Sequence, residues 1–453
     1  MIMLRQSIAL TLVLVFSLGA WAQDSQPRQP THEFTLDNGL KVIVREDHRA
    51  PVVVSQLWYR VGSSHEPPGL TGISHALEHM MFKGTDNLAP GQASRLLSSL
   101  GAQENAFTSR DYTGYYQILS RDQLAIALEM EAERMHRLSL PEDEFEREME
   151  VIKEERRLRV DDNPNGLAFE RFLRQAYMAS PYGQPVIGWM HDIERLTVDD
   201  LRAWYQTHYQ PGNAILVIVG DVRLAEIRAL VQQHFGPIPA GPVPPQKLPL
   251  ELPGGAERQL TLNLNVQLPS LLMGFNVPSL NTTEQPWEIY ALRLLRGVLD
   301  GGYSARLASR LERGEAIATS ASASYDGFSR GDSLFLLSGI PNQSRGVDLE
   351  QLEQRLWQEI EALKLEPPST EELNRVKAQT IAGLVYGQDS ISQQASQIGQ
   401  LESVGLSWRL VDEDIAALEA VSPEQISAVA RRYLVRERLT RAHVLPNNPE
   451  EVR

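Results

Sequence analysis

A chain of 453 residues is too long for one ordinary hydrophobic core, and its 42% hydrophobic content is enough to bury two. A formal charge of −15 with no basic patch argues against nucleic acid as a partner. Cysteine is absent, so no disulfide staples the fold, no lipoprotein anchor is available, and an oxidising compartment poses no hazard.

The chain opens with a secretory pattern. Arg5 supplies a positive n-region, residues 8–18 an apolar h-region, and Ala20-Trp21-Ala22 an A-x-A cleavage site. Residues 1–22 read as a signal peptide cut after Ala22, which predicts a periplasmic mature chain. The competing reading is an uncleaved anchor, but the apolar run is short for a membrane span. No later segment is suited to cross a bilayer.

Two strand-like runs, 33–36 and 40–45, flank Asp37-Asn38-Gly39, a strong hairpin signal. Residues 52–61 form a long apolar run, as a buried strand should. Then comes Thr71-Gly-Ile-Ser-His-Ala-Leu-Glu-His-Met-Met-Phe-Lys-Gly84, in which His75, Glu78 and His79 make an H-x-x-E-H pattern. On a helix all three side chains share one face. Two imidazoles four residues apart can grip one zinc ion, and the adjacent carboxylate can act as a base on a water held there. A solvated polar face is the bland alternative. The apolar residues Ile73, Ala76, Leu77 and Met80 support the helix, and Gly84 stands where it would end.

A polar helix is expected over 91–100, and the Thr-, Phe- and Tyr-rich stretch 104–116 reads as two strands turning around 109–111. Its residues alone suggest a plain edge hairpin. Helices are expected over 122–137 and 142–159, the second highly charged. Such a run is normally a solvated face, but a catalytic zinc needs a third protein ligand. Glu148 and Glu155, seven apart, share a helical face, so one is a candidate ligand and the other its supporting partner. A helix over 198–209 and an apolar strand over 214–219 complete residues 23–235 as an N-terminal domain. Residues 236–258 are dense in proline and glycine and read as a linker.

Residues 259–453 repeat the first half weakly. Leu196-Thr-Val-Asp-Asp-Leu201 has a counterpart in Val421-Ser-Pro-Glu-Gln-Ile426, and Glu144-Phe-Glu-Arg-Glu148 in Glu371-Glu-Leu-Asn-Arg375. Self-similarity at so long a period indicates duplicated domains. The second half has no H-x-x-E-H motif, and His443 is its only histidine.

Together these stretches resemble the pitrilysin/insulinase family of inverted zinc peptidases, and within it the short bacterial members similar to mitochondrial processing peptidase subunits. The resemblance rests on Asp37-Asn-Gly-Leu-Lys41, residues 72–85 around the motif, Asn105-Ala-Phe-Thr-Ser109, Arg147-Glu148 with Val151-Ile152 and Glu155, and Pro211-Gly-Asn213 before Gly220-Asp221. It implies an α+β fold of two homologous halves, each an antiparallel sheet with helices, closing as a clamshell around a chamber. It further implies one zinc per chain on His75, His79 and Glu155, with Glu78 as general base and Glu148 supporting a ligand histidine. Asn105, Ala106 and Phe107 become an edge strand that binds substrate backbone, so that peptides add to the sheet.

One stretch departs from the family pattern. Self-sufficient members carry an Arg and, seven residues on, a Tyr in the C-terminal half; Glu312 and Thr319 occupy those positions here. The expectation is a secreted zinc metalloendopeptidase for unfolded peptides, working as a heterodimer with a homologous zinc-less subunit that supplies the pair. A non-catalytic structural or chaperone-like subunit and a two-lobe periplasmic binding protein are the alternatives; the latter would have a largely parallel sheet and no zinc.

Overall fold

The computed structural model describes residues 30–252 and 254–447; the expected signal peptide lies outside them. The first half runs β1 (Thr31–Thr35), β2 (Lys41–Glu46), β3 (Val52–Tyr59), α1 (Ile73–Met80), α2 (Gln92–Ser99), β4 (Gln103–Thr108), β5 (Thr113–Ser120), α3 (Leu124–Arg137) and α4 (Glu142–Arg156). It continues through α5 (Pro164–Ala176), α6 (Met190–Ile193), α7 (Val198–His208), β6 (Ala214–Gly220) and α8 (Leu224–His234). The second half comprises β7 (Arg258–Leu264), β8 (Ser270–Val277), α9 (Trp287–Asp300), β9 (Ala318–Ser324), β10 (Ser333–Pro341), α10 (Leu349–Leu365), α11 (Thr370–Gly387), α12 (Ile391–Ser403), α13 (Leu410–Glu419), α14 (Pro423–Tyr433) and β11 (Leu439–Pro446). Among the described residues no helix is long and apolar enough to cross a membrane.

The halves are built alike. The first sheet has the order β1-β2-β6-β3-β5-β4 and the second β7-β11-β8-β10-β9. Each is antiparallel except for one parallel pair, β2 with β6 and β7 with β11. The late return of the chain into the sheet, after a crossover through many helices, makes that pair parallel. Both returns start the same way. Thr197 and Asp200 form a capping box before α7, and Ser422 and Gln425 form one before α14. The starts of these two helices and of the two following strands are separated by the same number of residues. The fold is therefore an α+β clamshell of two like halves, not a parallel-sheet binding protein.

What joins the halves is an exchange of helices. In β3 and β6 successive residues alternate between two cores: Val53, Leu57, Leu216 and Ile218 face the helices of their own half, while Val54, Trp58, Ile215, Val217 and Val219 face Ala395 and Ile398 of α12. Both faces are covered, so the strands read as unbroken apolar runs. Reciprocally, Ala168, Phe172 and Ala176 of α5 pack against Leu262, Leu334, Ala442 and Val444 of the second sheet. Each half thus lends one helix to the other's outer face. The segment between α8 and β7 is held down as well, since Glu251 accepts from the Ala179 and Ser180 amides at 3.3 and 3.1 Å.

The exchange leaves little slack. Gly399 of α12 lies against the Trp58 indole, and a Cβ placed there would stand 2.1 Å from a ring atom. Gly399→Val is expected to destabilise the protein by about 1–3 kcal/mol through overpacking, read as a lower midpoint in urea unfolding.

Candidate active site

Helix α1 is fixed by its apolar side. Ile73, Ala76, Leu77 and Met80 are fully buried in the first core, which turns His75, Glu78 and His79 away from it together. The helix starts at Gly72, whose φ of 90° belongs to the left-handed region that glycine tolerates. Gly72 has no side chain to cap the helix, so Glu66 does so from a distance: its carboxylate accepts from the Gly72 amide at 2.8 Å and the Ser74 amide at 2.9 Å. Burial pushes the Glu66 carboxyl up to about 7, against the lowering pull of those amides.

Helix α4 crosses α1 and brings the third group. Glu155 Oε2 lies 3.7 Å from His75 Nε2 and 3.5 Å from His79 Nε2. One ligand atom from each of the three residues falls within 4.8 Å of the others. Glu154, its neighbour in sequence, is exposed and pairs with Arg157. Glu148, one heptad earlier on α4, accepts from His79 Nδ1 at 3.1 Å and from Lys83. That contact holds the ring with its Nε2 aimed at Glu155. His75 is 8% exposed; burial, then His79 and Arg159, bring its pKa down to about 3, so it stays neutral. Two imidazole nitrogens and a carboxylate oxygen, open to a cavity, match the donor set of a catalytic zinc site.

The remaining expected residues lie nearby. Glu78 is half-buried, and its burial raises its pKa against the Thr108 hydrogen bond, in which Oγ1 donates to Glu78 Oε2 at 2.5 Å. Thr108 ends β4, which carries Asn105, Ala106 and Phe107 and, among the described residues, is the outermost strand of its sheet, paired only with β5. All of these except Glu148 line one cavity of about 710 Å³. The second half shows a different use of the positions expected to hold the Arg/Tyr pair. Glu312 Oε1 accepts from the Ala321 amide at 2.8 Å, and Thr319 Oγ1 faces the Pro341 carbonyl at 3.5 Å. Both side chains bond within their own half.

Several side chains here escaped sequence reasoning. Arg159 holds Glu155 Oε1 at 2.8 Å, on the side away from the imidazoles. It sits in a π turn, Arg157–Asp161, that continues α4 where a regular helix is expected. Helix α5 was also missed; Asn163 capping it through the Asn165 and Gly166 amides, with Pro164 in its first turn, was the available signal. Arg110, at the tip of the β4–β5 hairpin, lies over the Tyr177 and Tyr182 rings and lines the cavity.

With this geometry in view, the likenesses to known proteins agree. Residues 41–189 match the family model described as insulinase (peptidase family M16), and residues 195–380 match the peptidase M16 inactive domain. The zinc protease PqqE of Helicobacter pylori is 34% identical over 86% of this chain and 87% of its own length. An uncharacterised zinc protease of Bacillus subtilis, YmxG, is 26% identical over 89% and 96%. Among solved structures, a protease from Helicobacter pylori superposes with a TM-score of 0.86 at 29% identity, covering 92% of this chain and all of that one. The periplasmic protease PqqL from Escherichia coli superposes at 0.78 and 20% identity, with 92% of this chain matched to 48% of that one. The chain belongs to the insulinase family, peptidase family M16. The match of residues 195–380 to an inactive domain accords with the single His-His-Glu group among the described residues, which lies in the first half.

Two outcomes test this site. Glu148→Gln is expected to weaken zinc binding about 10- to 100-fold, measured by competition with a chromogenic chelator. Glu66→Ala strands two helix-starting amides and is expected to cost about 1–3 kcal/mol in equilibrium unfolding.

Proposed function

We propose that the chain is a zinc metalloendopeptidase acting on unfolded peptides, with His75, His79 and Glu155 as metal ligands and Glu78 as general base. The observation that carries this reading is the convergence of two imidazole Nε2 atoms and one carboxylate oxygen beside Glu78 and an unpaired strand edge, all on one cavity. Zinc bound there supplies Lewis acidity and makes a water acidic enough to lose a proton near neutral pH.

The protein's own residues do the rest. Glu78, its pKa raised by burial, takes the proton from the attacking water and returns it to the departing amine. Thr108 holds that carboxylate in place through Oε2. The free edge of β4 at Asn105, Ala106 and Phe107 takes the substrate backbone as an added strand, which favours extended peptides over folded proteins. Residues 23–235 provide this machinery, residues 236–258 link, and residues 259–453 buttress it through α12.

The working form proposed is a heterodimer with a homologous zinc-less subunit. Glu312 and Thr319 offer neither a cation nor a phenol to the reacting carbonyl, a contribution whose loss can cost about two to three orders of magnitude in rate. The 48% coverage of PqqL adds support, since that longer protein contains room for a second unit of this size. Periplasmic location is proposed from the N-terminal pattern and from the likeness to PqqL, a periplasmic protease. Hydrolysis of an unstructured peptide pool by the zinc-loaded chain, alone and with its zinc-less homologue, tests the assignment. Glu78→Gln is expected to lower the rate about 10²–10⁴-fold without loss of bound zinc. An unchanged rate would refute the base assignment.

A further inference from the structure

A second cavity, of about 590 Å³, lies at the joint between the halves and shares no described lining residue with the first. Lys41 at the start of β2 and Arg60 just past β3 line it from the first half, Gln246 and Leu248 from the joining segment, and Asn281 and residues 402–407 from the second half. Its charges are settled with one exception. Lys41 Nζ pairs with Glu402 at 2.7 Å and with Glu33 at 3.3 Å. The other Glu402 oxygen accepts from the Trp408 amide at 2.9 Å. Arg330, also on the wall, is held by Asp111, Ser64 and the Lys247 carbonyl.

Arg60 is the exception. Among the described residues its guanidinium makes no hydrogen bond and no ion pair, and its Nε is buried without a partner. Burial lowers the Arg60 pKa, and Glu402 draws it back up from beyond bonding distance; an arginine keeps its proton all the same, so the charge stays. Ser403 Oγ, on the same cavity, is likewise buried and unpartnered. Stripping a guanidinium of water is costly unless an anion takes the water's place, and buried donors are as a rule bonded. The planar fork of arginine fits two oxygens of one carboxylate or phosphate. We propose that this cavity is a binding site for a small oxyanion, a carboxylate or a phosphate, gripped by Arg60 with Ser403 donating a further hydrogen bond. Because its walls come from both halves, an anion bound there ties them together. The site is independent of the peptidase reading above.

The test is calorimetric titration of the zinc-loaded chain with sodium phosphate and, separately, with sodium succinate, each beside sodium chloride at the same ionic strength. Saturable one-to-one binding of at least one probe is expected, with the affinity reduced about tenfold or more in Arg60→Gln. The probe that binds tells a phosphate ligand from a carboxylate one. Zinc can itself take either anion, so binding that persists unchanged in Arg60→Gln lies elsewhere and overturns the site. Silence from both probes, or an equal response to chloride, overturns it too. Thermal unfolding guards against a variant that is merely misfolded. Without a probe, Arg60→Met is expected to unfold at or above the wild-type temperature, since it removes an unpaired buried cation. A probe concentration that raises the wild-type Tm is expected to leave that of Arg60→Met unchanged. An equal rise in both proteins refutes the assignment. A midpoint of Arg60→Met well below the wild type does so as well, because it shows Arg60 already satisfied within the chain.

Discussion

The burial of one side of α1 is the constraint from which the site follows. Ile73, Ala76, Leu77 and Met80 have no exposed surface, and at about 1.5–3 kcal/mol for each large side chain the helix has little freedom to rotate. Its histidines must then face whatever crosses it. The crossing helix carries mostly charge, with Phe145, Met149 and Ile152 as its buried apolar contacts. Those three fix the rotation of α4, and with it the direction of Glu148 and Glu155. The polar geometry is set by apolar packing, and the hydrogen bonds of Glu148 and Arg159 refine it.

The exchange of α12 and α5 gives the two halves a shared purpose. Neither outer sheet face would be covered within its own half, and each is completed by a helix from the other. Trp58 shows how near this joint lies to the site. It touches Gly399 of α12 on one side, and the Phe107 and Tyr112 rings of the β4–β5 hairpin at 5.0 Å on the other. Arg330 makes a second link from the β9–β10 connection, with Nε donating to Asp111 at 3.1 Å and Nη2 to Ser64 at 2.6 Å. The hairpin bearing the free strand edge is therefore held by the half that has no metal group among its described residues. A duplicated domain without the motif keeps a role as the support of the one that has it.

Much of this was legible because it is local. The H-x-x-E-H spacing places its residues on one face whatever surrounds the helix, and Asn38-Gly39 turns β1 into β2 by backbone preference alone. The apolar runs of β3 and β6 announced buried strands, and the like stretches 196–201 and 421–426, which the structure shows to be capping boxes, marked the duplication. Helix α5 was hidden for a related reason. It serves the cavity on one side and the second sheet on the other, so its apolar residues do not form the single stripe that marks an ordinary surface helix.

The sequence by itself determined the helix with its two histidines and a glutamate, which is written in spacing of a few residues, and its motifs carried the family resemblance that implied the two-part α+β plan. Tertiary structure decided which acidic side chain of α4 meets the imidazoles, because Glu154 and Glu155 differ only in how the packing of Phe145, Met149 and Ile152 rotates that helix. It also decided that β4 keeps a free edge, through strand order, and that Phe169 looks into the cavity while Phe172 does not. These last facts depend on contacts between segments far apart in the chain, and no local periodicity encodes them.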